Sequence, residues 1–191
     1  MGKIVVTEFV SLDGVMEDPG GSEGTKHAGW SFEFSRGDEG DKFKLDETMA
    51  SDALLLGRVT YEGFAAAWPS RSDDMGFAEK FNSMPKYVVS SSLTDPEWNN
   101  STVISGDLAA EVVKLKEQHD EIVVHGSGSL VRGLTELDLV DEYRLMTFPV
   151  VLGSGKRLFG DSDAAKTLQL ADVKPVGPDG VVVLTYRRPE A

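Results

Sequence analysis

Two rhythms of apolar and polar positions take turns along this chain: short β-branched runs, and longer stripes at helical spacing. Ile4 to Val10 reads as a strand with Thr7 and Glu8 inside it, closed by Ser11-Leu12-Asp13-Gly14. Phe43, Leu45, Met49 and Ala50 form an imperfect helical stripe, with Asp38 to Asp41 near its start, where carboxylates suit the helix dipole. Ala53-Leu54-Leu55-Leu56-Gly57 is a short continuous apolar run, the mark of a strand buried on both faces, and Arg58 to Ala67 reads as the helix after it. Lys86 to Ser90 and Thr102 to Ile104 are further strands, and Asp107 N-caps a helix carrying Leu108, Val112 and Leu115. Glu121 to His125 is the next strand; its Gly126-Ser127-Gly128-Ser129 turn opens a helix with Leu130, Leu134 and Leu137 on one face.

The last third changes character. Glu142 to Val151, Thr167 to Pro175 and Val181 to Arg187 read as strands, the last two joined through Val176 to Gly180 as an antiparallel hairpin. The expected fold is α/β: a mixed, mainly parallel sheet flanked by helices, with a C-terminal antiparallel hairpin, in a single domain over residues 1–191. Asp18 to Gly29, rich in Gly and poor in apolar residues, reads as a long loop of the kind that covers a site. Trp30, Phe32 and Phe34 alternate at period two, which fits a pocket wall and also a segment packed on the core.

Composition narrows the function. With 19 basic and 32 acidic residues the net charge is -13, a field that repels phosphate backbones, so no nucleic-acid partner is expected. There is no Cys, which excludes disulfides, thiolate metal sites and a cysteine nucleophile. No apolar run approaches a membrane span of about 18 residues, and the amino terminus runs into a strand pattern without a signal, so a cytoplasmic location is expected.

In open α/β sheets ligands bind outside the carboxyl ends of strands, where helix N-termini present free N–H groups. Three places fit a phosphate: Gly57-Arg58-Val59-Thr60, with a guanidinium and a hydroxyl; the hydroxyl cluster Ser90-Ser91-Ser92; and the Gly126 to Ser129 turn. Each glycine also fits a plain strand-to-helix turn. A Rossmann pattern is disfavoured because Val131 stands where its third Gly belongs, and no Gly-Lys-Ser or Gly-Lys-Thr of a P-loop occurs.

Ser11 to Gly14, Leu54 to Glu62, Ser90 to Ser92, His125-Gly126-Ser127-Gly128-Ser129-Leu130 and Pro149 to Gly155, in that order, resemble the dihydrofolate reductase-like family. The specific likeness is to the C-terminal reductase domain of the bifunctional riboflavin-biosynthesis deaminase-reductase, over nearly the whole chain. The resemblance implies NADPH, with Gly57, Arg58, Thr60 and Ser90 to Ser92 around its adenosine phosphates and Gly126, Ser127, Gly128, Ser129 and Leu130 at its pyrophosphate. It implies that Leu12 and Gly14 lie near the nicotinamide, and that Leu152 and Gly153, with Trp30, border a small-molecule substrate. A guanidinium at a helix start independently favours NADPH over NADH. The deaminase half is absent, since its metal site needs Cys-x-x-Cys.

Hydride transfer needs a proton for the atom that gains charge. Ungapped alignment of Gly57-Arg58 to dihydrofolate reductases puts Asp41 at their acidic position, and Asp13 is its rival. His125 reads as a packed or phosphate-neighbouring residue. The expected activity is NADPH-dependent reduction of a heterocyclic or sugar-derived substrate, the 5-amino-6-(5-phosphoribosylamino)uracil reductase type leading. Dihydrofolate reduction and a non-catalytic nucleotide-binding module are the alternatives. A homodimer is expected, because an antiparallel sheet edge offers free backbone groups.

Overall fold

The computed structural model describes residues 1–160 and 164–189. Its strands are β1 (Lys3–Ser11), β2 (Ala53–Gly57), β3 (Lys86–Val89), β4 (Ser101–Ile104), β5 (Glu121–His125), β6 (Glu142–Phe148), β7 (Gln169–Val176) and β8 (Val181–Arg187). The helices between them are α1 (Gly37–Ala50), α2 (Arg58–Ala67), α3 (Phe77–Ser83), α4 (Leu108–Gln118) and α5 (Gly128–Glu136). One eight-stranded sheet runs β4-β3-β2-β5-β1-β6-β8-β7. All pairs are parallel except β6 with β8 and β8 with β7, as the change of rhythm in the last third predicts. None of the described helices is long and apolar enough to cross a membrane.

The apolar runs become the centre of the sheet because parallel strands covered on both sides need side chains that lose nothing by leaving water. Ile4, Leu55, Ile122 and Val124 pack under α4 and α5, and Leu54, Leu56, Val88 and Val123 under α2 and α3. Each such side chain contributes about 1.5–3 kcal/mol. A third cluster of Trp30, Met146, Phe148, Val176, Val181 and Val183 fills the β6-β8 side.

α1 is held differently. Its inward face carries Lys44, Glu47 and Thr48, and beneath it Arg144 touches Glu142 at 2.6 Å, Glu121 at 3.0 Å and Glu47 at 3.6 Å. Burial alone raises the pKa of Glu142, but Arg144 and Arg187 outweigh it and hold the carboxyl below its ordinary range. This ionic seat explains the faint apolar stripe of α1.

Two expectations are corrected, and one helix is added. β6 stops at Phe148 because Pro149 has no N–H for the ladder, and Val150 N–H turns back to the Phe148 carbonyl at 2.8 Å. α3 went unread: it is seven residues long, and its cap comes from outside the helix, Asp73 accepting from the N–H groups of Phe77 and Ala78. Trp30 to Glu33 is a 3-10 turn, which buries Trp30 and leaves Phe32 78% exposed.

Candidate active site

The chain order places its switch point beside β5, which enters between β2 and β1, and the strand ends there meet three turns. Gly57 N–H donates to Ser127 Oγ at 2.9 Å, and Ser127 N–H donates to Thr60 Oγ1 at 2.8 Å. The β2-to-α2 and β5-to-α5 turns are thus latched to each other across 67 and 70 residues of sequence. Gly57 is the register partner of Val89, so Ser90 follows beside Arg58 on the same edge. Gly126 has φ 56° and lies so near Thr60 that a Cβ there would stand 3.0 Å from its side chain, so both the backbone and the close approach favour glycine. Ser127 takes the left-handed conformation without a glycine, at φ 57°.

The helix starts at this edge lack their own anions. α3 and α4 are capped by Asp73 and Asp107, the latter accepting from Ala110 N–H at 2.8 Å. The N-cap residues of α2 and α5, Gly57 and Ser127, provide no side-chain cap, which leaves these helix starts suited to an anion.

The expected cofactor residues differ in availability. Arg58 forms a bidentate ion pair with Glu62 at 2.9 and 3.0 Å, one turn along α2. Ser90 Oγ accepts from the N–H groups of Ser92 and Leu93, building the turn, while Ser91 and Ser92 are exposed. Ser129 Oγ accepts from Arg132, and the Leu130 side chain enters the core, leaving its backbone to the edge.

Asp13 is a brace. Its carboxylate accepts from Ser11 Oγ at 2.7 Å, Leu152 N–H at 3.1 Å and Gly153 N–H at 2.9 Å, tying the Ser11 to Gly14 turn to the Pro149 to Gly155 loop. These bonds, that of Ser11 foremost, lower its pKa to about 2, so at neutral pH it has no proton to give. Gly14 and Gly153 supply the positive φ of these two turns, and Leu12 is exposed. Trp30 is 5% exposed, edge-on to Phe148 with its indole N–H on the Glu17 carbonyl; it supports the site from below rather than lining it. The loop it anchors turns about buried Asp18, which accepts from Glu23 and Thr25.

Near the carboxyl ends of β1 and β5, half-buried Lys44 lies 5.5 Å from the Phe9 ring centre and half-buried His125 packs beside Phe64 with centroids 6.0 Å apart. Asp41 is here but committed to Arg36 at 2.6 Å, and the Arg36 guanidinium lies 5.3 Å from the Phe9 ring centre. Lys44 Nζ donates to Thr7 Oγ1 at 2.8 Å and Glu47 Oε2 at 2.5 Å. His125 packs against Phe64 and Phe81; burial first, then the charge of Lys44, holds its pKa well below 6.5. Glu8, on the other face of β1, is pushed well above the usual carboxyl range by burial. Arg36, Lys44 and Glu8 escape the sequence reading; the only signal for Glu8 is a charge inside an apolar strand run.

A family model of the RibD C-terminal domain matches residues 2–182. The uncharacterized Bacillus subtilis protein YyaP is 29% identical over 188 residues, which is 96% of this chain and 94% of that one. A Shewanella sp. PV-4 protein assigned to riboflavin biosynthesis superposes with TM-score 0.78 at 23% identity, over 98% of this chain and 99% of that chain. The Thermotoga maritima diaminohydroxyphosphoribosylaminopyrimidine deaminase/5-amino-6-(5-phosphoribosylamino)uracil reductase gives 0.66 at 14% identity, over 98% of this chain and 57% of that one. Enterococcus faecalis dihydrofolate reductase, solved with NADP(H), gives 0.57 at 14% identity, over 99% and 98%. The fold is therefore dihydrofolate reductase-like, and the chain belongs to the RibD C-terminal domain family.

Proposed function

We propose that this protein is an NADPH-dependent reductase that delivers hydride to a carbonyl or imine carbon of a small heterocyclic or sugar-derived substrate, of the 5-amino-6-(5-phosphoribosylamino)uracil reductase type. The observation that carries the reading is the latched pair of turns, with two uncapped helix starts beside them. That donor set suits a dinucleotide. Gly57 to Thr60 and Ser90 to Ser92 hold the adenosine end, with Arg58 on the 2′-phosphate once Glu62 shares it, and the backbone from Gly126 to Leu130 holds the pyrophosphate. Bound there, NADPH supplies the hydride. The Asp13 brace keeps the two loops closed over the nicotinamide end. The proton is assigned to Glu8, whose carboxyl burial pushes well above its ordinary pKa range.

Dihydrofolate reduction is the weaker reading, because a pterin needs a free carboxylate on α1, and Asp41 is spent on Arg36. A homodimer belongs to the proposal, since β7 ends the sheet with its outer edge unpaired; sedimentation at micromolar concentration tests it. The activity is tested by NADPH fluorescence titration, followed by NADPH oxidation with the phosphoribosylamino-uracil and with dihydrofolate. Saturable NADPH binding and oxidation by the first compound alone are expected. Binding without oxidation by either would overturn the reductase in favour of a nucleotide-binding module.

A further inference from the structure

The register of the last three strands sets nine side chains in a grid. Tyr143, Tyr186 and Leu170 make one row across β6, β8 and β7; Leu145, Leu184 and Val173 make the next; Thr147, Val182 and Pro175 make the third. Directly opposed residues point to the same side, so the nine share one face of the sheet. It is the face that α4 and α5 cover over β1 and β5, since Tyr143 and Leu145 belong to that core. The cover thins toward the edge. Tyr143 and Leu145 are 2% and 7% exposed, Val182, Leu184 and Tyr186 are half-buried, and Val173 and Leu170 reach 47% and 49%. Phe159, itself exposed, lies with its ring centre 5.6 Å from that of Tyr143 and extends the apolar surface beside the first row.

The charged side chains of the hairpin strands lie on the opposite face, where Asp172 opposes Thr185, Lys174 opposes Val183 and Arg187 opposes Glu142. β7 therefore turns its apolar side, not its charged side, to the face that the helices leave open. All of its residues except Val176 are exposed. A sheet face of this kind needs a second layer, and an exposed apolar stripe marks a surface built to be covered.

Two seams could join copies of this chain, the outer edge of β7 and this face. The edge is a poor template: Pro175 has no N–H to donate, and the register slips between Leu170 and Asp172. The face has neither fault. It is also free of charge, so two chains of net charge -13 meet there without repulsion at the contact, whereas a basic partner finds no carboxylate to hold it. The grid spans roughly 14 by 20 Å, an apolar centre for an interface of about 800 Å² per partner.

We propose that the homodimer forms by packing this face onto the same face of a second copy, two sheets stacked about 10 Å apart around a twofold axis, and not by strand addition at β7. The inference rests on the proposed function only in taking the partner to be a second copy; it makes no use of the cofactor.

Val173→Glu puts a carboxylate in the middle row, and Lys174→Glu, its neighbour on the other face, is the control. At micromolar concentration the wild type should sediment at twice the chain mass of 20.7 kDa. Val173→Glu should weaken the dimer about a hundredfold, because a twofold interface receives the buried charge twice, while Lys174→Glu should leave it unchanged. Both should keep the wild-type circular dichroism. Hydrogen exchange of the wild type needs no variant: the outward amides of β7 should exchange equally fast in the dimer and in dilute monomer. A monomeric wild type, a folded Val173→Glu that dimerises like the wild type, a Lys174→Glu that dissociates as far, or β7 outward amides slowed on association, the mark of strand addition, would each overturn the proposal. NADPH oxidation is scored separately. A wild-type monomer that turns over removes this inference and keeps the reductase reading; a dimer of the expected behaviour without turnover does the reverse.

Discussion

At Asp13 one carboxylate joins two loops that lie 139 residues apart in the chain. Because its folded pKa, about 2, is below the unfolded carboxylate value of about 3.9, its contribution is complete above pH 4 and is lost as pH falls toward 2. Asp13→Asn should therefore open the Ser11 to Gly14 turn and the Pro149 to Gly155 loop to proteolysis at neutral pH, and limited digestion should show the wild type approaching the variant's cleavage rate only in strong acid. Lys86 is the opposite case. It is fully buried, caged by the carbonyls of Asn82, Met84 and Asn99 at 2.9–3.0 Å, and 4.3 Å from the Trp98 ring. Burial lowers its pKa to about 8 from 10.5, so between those values the unfolded chain binds more protons and stability rises with pH. Lys86→Met should abolish that rise in urea titrations. It should also cost about 2–4 kcal/mol at pH 7, from three carbonyls left unpaired.

Among elements, the latch between the β2-to-α2 and β5-to-α5 turns separates affinity from strain. Ser127→Ala removes the Oγ and keeps the costly left-handed backbone, whereas Ser127→Gly removes both. Both variants should lose NADPH affinity about tenfold by fluorescence titration, the value of one lost positioning bond, while the glycine variant is the more stable by about 1 kcal/mol. Equal affinity to wild type in either would show the latch to be irrelevant to the cofactor. Arg58→Ala should weaken NADPH far more than NADH, and Glu62→Gln should leave NADPH binding at least as tight, since it frees the guanidinium. The legibility of these elements followed the same physics. β2, β5 and β8 stand in the sequence with their observed limits: β2 and β5 are buried on both faces and read as apolar runs, and β8 reads as a β-branched run between a Gly turn and Arg187. α1 was half legible, for its inner face is ionic, and Lys44 on such a helix reads as a solvated side chain. The two latched turns were visible as glycines at strand ends. The packing of His125 against Phe64 and Phe81 was not, because it arises only when α2 and α3 close over β5.

For the molecule as a whole, Arg144 is the pin through which α1, β1, β5 and β6 share one set of charges. Arg144→Met leaves Glu47, Glu121 and Glu142 buried without it and should cost about 3–5 kcal/mol at neutral pH, measured as a lower urea midpoint. The difference should narrow in acid as Glu142, held below its ordinary range by Arg144, takes up its proton, and an unchanged gap would point to lost packing instead. The position of β5 has a consequence for how the protein is made. The strand that joins β1 to β2 is encoded by residues 121–125, so on the ribosome the first two central strands emerge with no partner between them. A nascent chain that stops short of that point leaves both edges of β1 and the inner edge of β2 open, and it lacks the Gly126 to Ser129 turn. Synthesis must pass well over half its length before the centre of the sheet can close, so premature termination products are the species for chaperones to hold.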